Sequence, residues 1–206
     1  MSSLTKMGTP FMPNWVSNNV NAVGPIEDVR VLVAKVGSPI LTHPDSGPAG
    51  DDDPVFSFMN IVSPWHAGIT EDEYFSVADS NAPANNWYNW NWENWDTKWD
   101  ACEVSHEFYD RGNEAVAFYR FDTAWSPPIK VIAELSRQFP TLTLTLEFLE
   151  EQGWGGEFEF VGGEGVVLRQ WDIPTTHAER VNVFSYCWCA DEHKEDWPYD
   201  DCTGEL

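Results

Sequence analysis

SPPIKVIAELSRQFPTLTLTLEFLEEQGWGGEFEFV, residues 126–161, is the stretch that decides the fold. Ser126-Pro127-Pro128 reads as a helix start, because Ser caps and Pro is tolerated in the first turn. Ile129, Ile132, Leu135, Ser136 and Phe139 then recur on one helical face, and Pro140 ends the helix. At residue 141 the period changes. Leu142, Leu144, Leu146 and Phe148 alternate with three Thr and Glu147, the pattern of a strand with one buried face. Glycines within 153–156 turn the chain, and residues 157–161 alternate Glu and Phe as a second strand.

Outward from this unit, residues 102–109 and 114–122 flank Asp110-Arg111-Gly112-Asn113 as a β-hairpin. Residues 13–23 read as extended. Ile26, Val29, Val33 and Val36 stand at helical spacing, with Glu27 and Asp28 in the first turn, where carboxylates suit the helix dipole. The short apolar run 55–62 is expected to be a buried strand, and residues 37–54 and 63–92 to be inserted loops. Residues 166–171 and 180–189 read as further strands. The order β, α, β, β, β, α, β predicts an α+β chain with a ferredoxin-like βαββαβ core, extended by additional antiparallel strands and an acidic C-terminal segment. The expected division is 12–165 for the core and 166–206 for the extension.

Charge limits what such a fold can do. The 206 residues hold 11 Lys and Arg against 34 Asp and Glu, a net charge of −23. Binding to nucleic-acid phosphates or to anionic lipid needs basic residues in number. No stretch approaches the roughly 18 apolar residues of a membrane span, and residues 1–11 carry no apolar run of a secretory signal. The acid is unevenly placed. Residues 1–36 are net +1, residues 37–125 net −13 and residues 126–206 net −11. Twelve Trp, six Tyr and twelve Phe supply enough large rings for a folded core.

Cys102, Cys187, Cys189 and Cys202 read as thiols of an intracellular protein. Cys187, Cys189, His193 and Cys202 form C-x-C-x3-H-x8-C, which departs from structural zinc spacing. No metal or cofactor is expected. His43, His66, His106, His177 and His193 are scattered, and none falls in a zinc-protease or nucleophile-elbow motif. Cys102 and His106 share a face of a regular strand without touching, so no catalytic residue is assigned and no enzyme is expected.

Three motifs carry a resemblance. They are Met12-Pro13-Asn14-Trp15-Val16-Ser17-Asn18, then Asn94-Trp95-Asp96-Thr97-Lys98-Trp99-Asp100-Ala101, then Phe121-Asp122-Thr123-Ala124-Trp125-Ser126-Pro127-Pro128 running on through Leu135-Ser136-Arg137-Gln138-Phe139-Pro140. Together they resemble the YubB-type, Api-like proteins of phages and conjugative plasmids. The resemblance covers roughly residues 12–165 and implies a ferredoxin-like domain from a phage or mobile element. Where this chain has Asp96 the family usually has Gly. If that position takes a positive φ, Asp is one of the few side chains it tolerates.

The motif residues have two readings. Trp15, Trp95, Trp99 and Trp125 pack together under the sheet, while Asn14, Asn94, Lys98, Asp100, Asp122 and Thr123 satisfy nearby turns and caps. Alternatively these residues form a polar pocket with an aromatic floor. Lys98 is then either a salt-bridge partner or the anchor for a phosphate or carboxylate. A separate acidic surface is expected from Asp51, Asp52, Asp53, Glu71, Asp72, Glu73, Asp191, Glu192, Glu195, Asp196, Asp200 and Asp201.

The preferred functional expectation follows from charge. An acidic phage-type protein in the host cytoplasm engages a host protein with a basic surface, as a DNA mimic inhibiting a nuclease, defence or transcription factor. The alternatives are a phage accessory or virion-associated interaction protein, and a hydrolase or sugar- or nucleotide-binding protein. Direct nucleic-acid and membrane partners are not expected.

Overall fold

The structure, a computed structural model, describes residues 14–38, 55–76 and 83–185. Strand β1 (Trp15–Pro25) leads into helix α1 (Ile26–Val36). Two 3-10 turns follow, Phe58–Asn60 and Pro64–Ala67, then the short helices α2 (Glu71–Tyr74) and α3 (Trp87–Trp95). The hairpin β2 (Cys102–Asp110) and β3 (Glu114–Ala124) precedes α4 (Ile129–Gln138). The chain continues with β4 (Thr143–Glu150), β5 (Gly155–Val161), β6 (Glu164–Trp171) and α5 (His177–Phe184).

The strands form one antiparallel sheet in the order β2-β3-β1-β4-β5-β6. β3 enters between β1 and β2, and β1 between β3 and β4, which is the split βαβ arrangement of a ferredoxin-like fold. The β5–β6 hairpin extends the sheet beyond β4. α1 and α4 lie against the same side of the sheet. That side is buried, as strand alternation requires: Val16, Val20 and Ala22 of β1, Tyr119 and Phe121 of β3, and Leu144, Leu146 and Phe148 of β4. The opposite side keeps the alternate residues and is polar.

Four expectations need correction. Residues 55–62 make no strand. Phe56 and Phe58 are both buried, but the Ser57 amide bonds to the Val36 carbonyl and the Phe58 amide to the Asp100 carboxylate, so the run closes into a 3-10 turn. Residues 63–92 are only partly loop, since they hold the second 3-10 turn, α2 and the start of α3. Residues 180–184 of the expected last strand, 180–189, belong instead to helix α5, nucleated by a capping box between Thr176 and Glu179, and residues 186–189 lie outside the described residues. Ser126 does not cap α4. Its hydroxyl donates to the Asp96 carbonyl, and Pro128 occupies the cap position without a side-chain bond.

Candidate functional site

The second and third motifs meet where α3 ends. α3 forms because Asn86 caps it, accepting from the Tyr88 amide, and because Trp90 and Trp95 have a core to enter. It ends at Asp96, which takes φ 64°, the conformation a helix needs to reverse. The positive φ bears out the reading of Asp in place of Gly. The following loop is fixed from both sides. The Thr97 hydroxyl donates to the Ala124 carbonyl at 2.9 Å, and the Asn91 side chain donates to the Lys98 carbonyl at 2.8 Å. Lys130 binds Asp96 twice, through its amide at 3.1 Å and its ammonium at 2.9 Å.

This loop places Lys98 among aromatic rings. Its Nζ lies 4.5 Å from the centre of Trp125, 4.8 Å from Trp99 and 5.9 Å from Tyr88. Trp15 packs on Trp99 at 5.9 Å, and Trp92 on Trp125 at 6.4 Å. Indole faces attract an ammonium through their quadrupole. Among the described residues no carboxylate pairs with Lys98, so the expected salt bridge is replaced by cation–π contact. Trp125 sits at φ 76°, held by its amide donating to the Asn14 carbonyl at 2.8 Å. Such a backbone is costly for a bulky residue, and here it aims the ring at the lysine.

The other predicted site residues serve the fold. Trp95 is buried, donates to the Val62 carbonyl and packs edge-on against Phe58 and Trp90, away from Lys98. Asn94 bonds back to the Trp90 carbonyl and Asn14 to the Glu150 carboxylate. Thr123 is buried, accepting from Asn18 and donating to the Ser126 carbonyl. Asp100 accepts from Ser57, Phe58 and Ala101. The residue is half-buried but its carboxylate is enclosed, and that burial raises its pKa despite these bonds. The four tryptophans therefore divide: Trp99 and Trp125 flank the lysine together with Tyr88, Trp15 backs Trp99, and Trp95 joins the core. Tyr88 was missed. Its signal lay in the helical spacing of Tyr88 and Trp92, legible only once residues 87–95 are read as a helix.

Cys102 and His106 lie on opposite faces of the sheet, not on one. A register shift between Cys102 and Ser105 turns Cys102 towards Asp122 and His106 towards the buried Tyr119. Burial raises the Cys102 pKa, helped by Asp100, Asp122 and Glu103. Among the described residues no three His, Cys, Asp or Glu side chains converge as metal ligands. Cys187, Cys189, His193 and Cys202 lie outside the described residues.

Of the expected acidic surface, the described residues include only Glu71, Asp72 and Glu73. Asp51, Asp52 and Asp53, and Asp191, Glu192, Glu195, Asp196, Asp200 and Asp201, lie outside the described residues. Glu71, Asp72 and Glu73 form α2, where the Thr70 backbone and hydroxyl hold the Glu73 pKa below its ordinary value. The sheet's open side carries a second set. By strand register, Glu107, Asp122, Glu147, Glu157, Glu159 and Glu164 share this face with only Arg120 and Arg169. Arg169 is engaged by Glu147 and Glu157, both at 2.8 Å. A cavity of about 1110 Å³ opens here, floored by Ser17, Asn19 and Arg120 and walled by residues 172–175 and α5.

Residues 94–183 match the family model described as the ferredoxin-like domain in Api92-like protein. The matched region begins with the second motif and contains the third, and it bears out the Api-like resemblance and the ferredoxin-like fold. A solved structure, protein api92 from Yersinia pseudotuberculosis, is similar to this chain at 12% identity and a TM-score of 0.46, over 79% of this chain and 99% of that one. No curated protein matches the chain.

Proposed function

We propose that this chain is an acidic binding protein of a phage or mobile element that engages a basic host protein in the host cytoplasm, occupying a groove built for DNA. The observation that carries the reading is the open sheet face. Carboxylates on alternate residues of a strand repeat at about 6.8 Å, as Glu157 and Glu159 do on β5, and neighbouring strands stand about 4.8 Å apart, as Glu147 and Glu157 do; with Asp122 two strands beyond β4 and Arg169 bridging Glu147 and Glu157, they form a grid of net negative charge on one face. Such a face repels polyanions and attracts a basic cleft, with an encounter rate that falls as salt rises. Sheet placement also makes the grid rigid, as a mimic of a stiff polyanion requires. Pull-down from host lysate at low and high salt, with mass spectrometry, should return a basic nucleic-acid enzyme that elutes with salt and that duplex DNA displaces. The combined variant Asp122→Asn, Glu159→Gln, Glu107→Gln should lose it. Enrichment of phage structural proteins would support the virion-associated reading instead.

The Lys98 cluster favours a second reading, a site for a planar anionic ligand such as a nucleotide. The ammonium has no carboxylate partner among the described residues, and indole faces stack on bases. Titration with a nucleotide panel, read by tryptophan fluorescence, checks it. Quenching that survives in Lys98→Met removes the lysine from the site.

A further inference from the structure

We propose that β6 is a docking edge: it takes an extended segment of the basic partner as an added strand, a segment whose alternate residues are aliphatic and basic. This rests on the proposed function and names how the partner is held.

The two edges of the sheet are treated differently. β2 is blunted by exposed Glu103, Glu107 and Asp110 and by its register shift, devices that discourage pairing with another chain. Among the described residues β6 is the last strand at the other side and pairs with β5 alone. It runs eight residues, and its centre exposes Val166, Val167 and Leu168 at 59%, 52% and 51%. Three adjacent aliphatic side chains, half in water on an edge strand, are what edges normally avoid.

The register says what would fit. Glu164 and Val166 lie on the open side with Glu159, while Gly165 and Val167 face the helix side with Phe160 and Phe158. Leu168 is the extra residue of a bulge, since Glu157 pairs with Arg169 and Phe158 with Val167. An incoming strand therefore meets aliphatic surface at Val166 and Val167 and a carboxylate pair at Glu164 and Glu159. Backbone bonding supplies affinity and the side chains supply selectivity. A second copy of this chain would bring another −23 to the same edge. The chain's own residues after 185 hold seven acids against Lys194 and carry the wrong sign beside Glu164. Charge complementarity selects a basic partner strand.

A ten-residue peptide alternating valine and lysine is the probe. Added to the full chain, it should slow amide exchange at residues 164–169 and bind at least tenfold more weakly in 0.5 M than in 0.05 M NaCl. Val166→Lys, at an exposed position that leaves the fold intact, should weaken it at least tenfold, and a valine–glutamate peptide should not bind. Three results overturn the proposal. One is peptide binding unchanged by Val166→Lys. Another is sedimentation showing a dimer that Val166→Lys dissociates. The third is residues 164–169 already as protected in the free chain as β3. The two ideas fail separately. If only the edge is wrong, the basic host enzyme still binds Val166→Lys and is lost on neutralising Asp122, Glu159 and Glu107. If only the carboxylate face is wrong, the Val166-dependent peptide binding remains and that neutralisation leaves host-enzyme binding unchanged.

Discussion

Lys98 has acids available throughout the chain and rests on three rings instead. Each cation–π contact is worth about 0.5–1 kcal/mol when exposed and up to about 2 kcal/mol when desolvated. Lys98→Met keeps the aliphatic stem and removes the charge. It should lower stability in urea denaturation by about 1–2 kcal/mol, while Lys98→Arg, which also stacks on indole, should cost less. A neutral Lys98→Met would mean the rings merely surround the ammonium. Asp96 is the second decisive residue. It combines φ 64° with two contacts to Lys130. Asp96→Ala keeps the strain and loses both contacts, so it should cost about 1–2 kcal/mol. Asp96→Gly loses the contacts but relieves the strain and should lie closer to the wild type. Equal stabilities for the two variants would show that φ does not matter here.

At the level of elements, legibility followed how much of an element's stability is local. β4 and the body of α4 are legible because Leu142 to Phe148 and Ile129 to Phe139 keep one period over their whole length. The elements that the sequence pattern does not reveal depend on distant partners. Phe58 turns because Asp100, forty-two residues away, accepts its amide. α3 holds Trp90 and Trp95 in a core whose other rings, Phe58 and Phe121, come from elsewhere in the chain. α5 carries β-branched Val181 and Val183 yet is helical, because the Thr176–Glu179 box starts it. Of the predicted site, the tryptophans can be listed from sequence, but that Trp99 and Trp125 are the two that face Lys98 depends on the φ of Trp125 and the end of α3. The β4–β5 pairing offers a test at this scale. A Cβ on Gly155 would stand 2.5 Å from the Phe148 carbonyl oxygen and 2.5 Å from the Trp171 ring. Backbone cannot yield as a flexible side chain does, so Gly155→Ala should destabilise by about 1–3 kcal/mol through overpacking. The measurement is the urea midpoint. An unchanged midpoint would mean that β6, through Trp171, is free to move away.

For the whole molecule, net charge and fold pull in opposite directions, and salt separates them. At −23 the folded chain gathers like charges that the unfolded chain spreads out, so self-repulsion opposes folding. Among the described residues the ion pairs available to offset it are few and lie at the surface: Arg30 with Glu27 and Asp110, Lys130 with Asp96, Arg137 with Glu134, and Arg169 with Glu147 and Glu157. Pairs of this kind contribute about 0–1 kcal/mol each. Screening shortens the reach of charge from about 10 Å at 0.1 M to about 3 Å at 1 M. It removes the long-range repulsion across the sheet face, and the short pairs at 2.5–2.8 Å lose less. NaCl should therefore raise the urea midpoint of the chain between 0.05 and 0.5 M while lowering its affinity for a basic partner over the same range. A midpoint that falls with salt would show that the ion pairs outweigh the repulsion, and the open face would then be too well neutralised to act as a polyanion. Neutralising Asp122, Glu159 and Glu107 together should flatten both salt dependences at once, because the same carboxylates that oppose folding are the ones proposed to attract the partner.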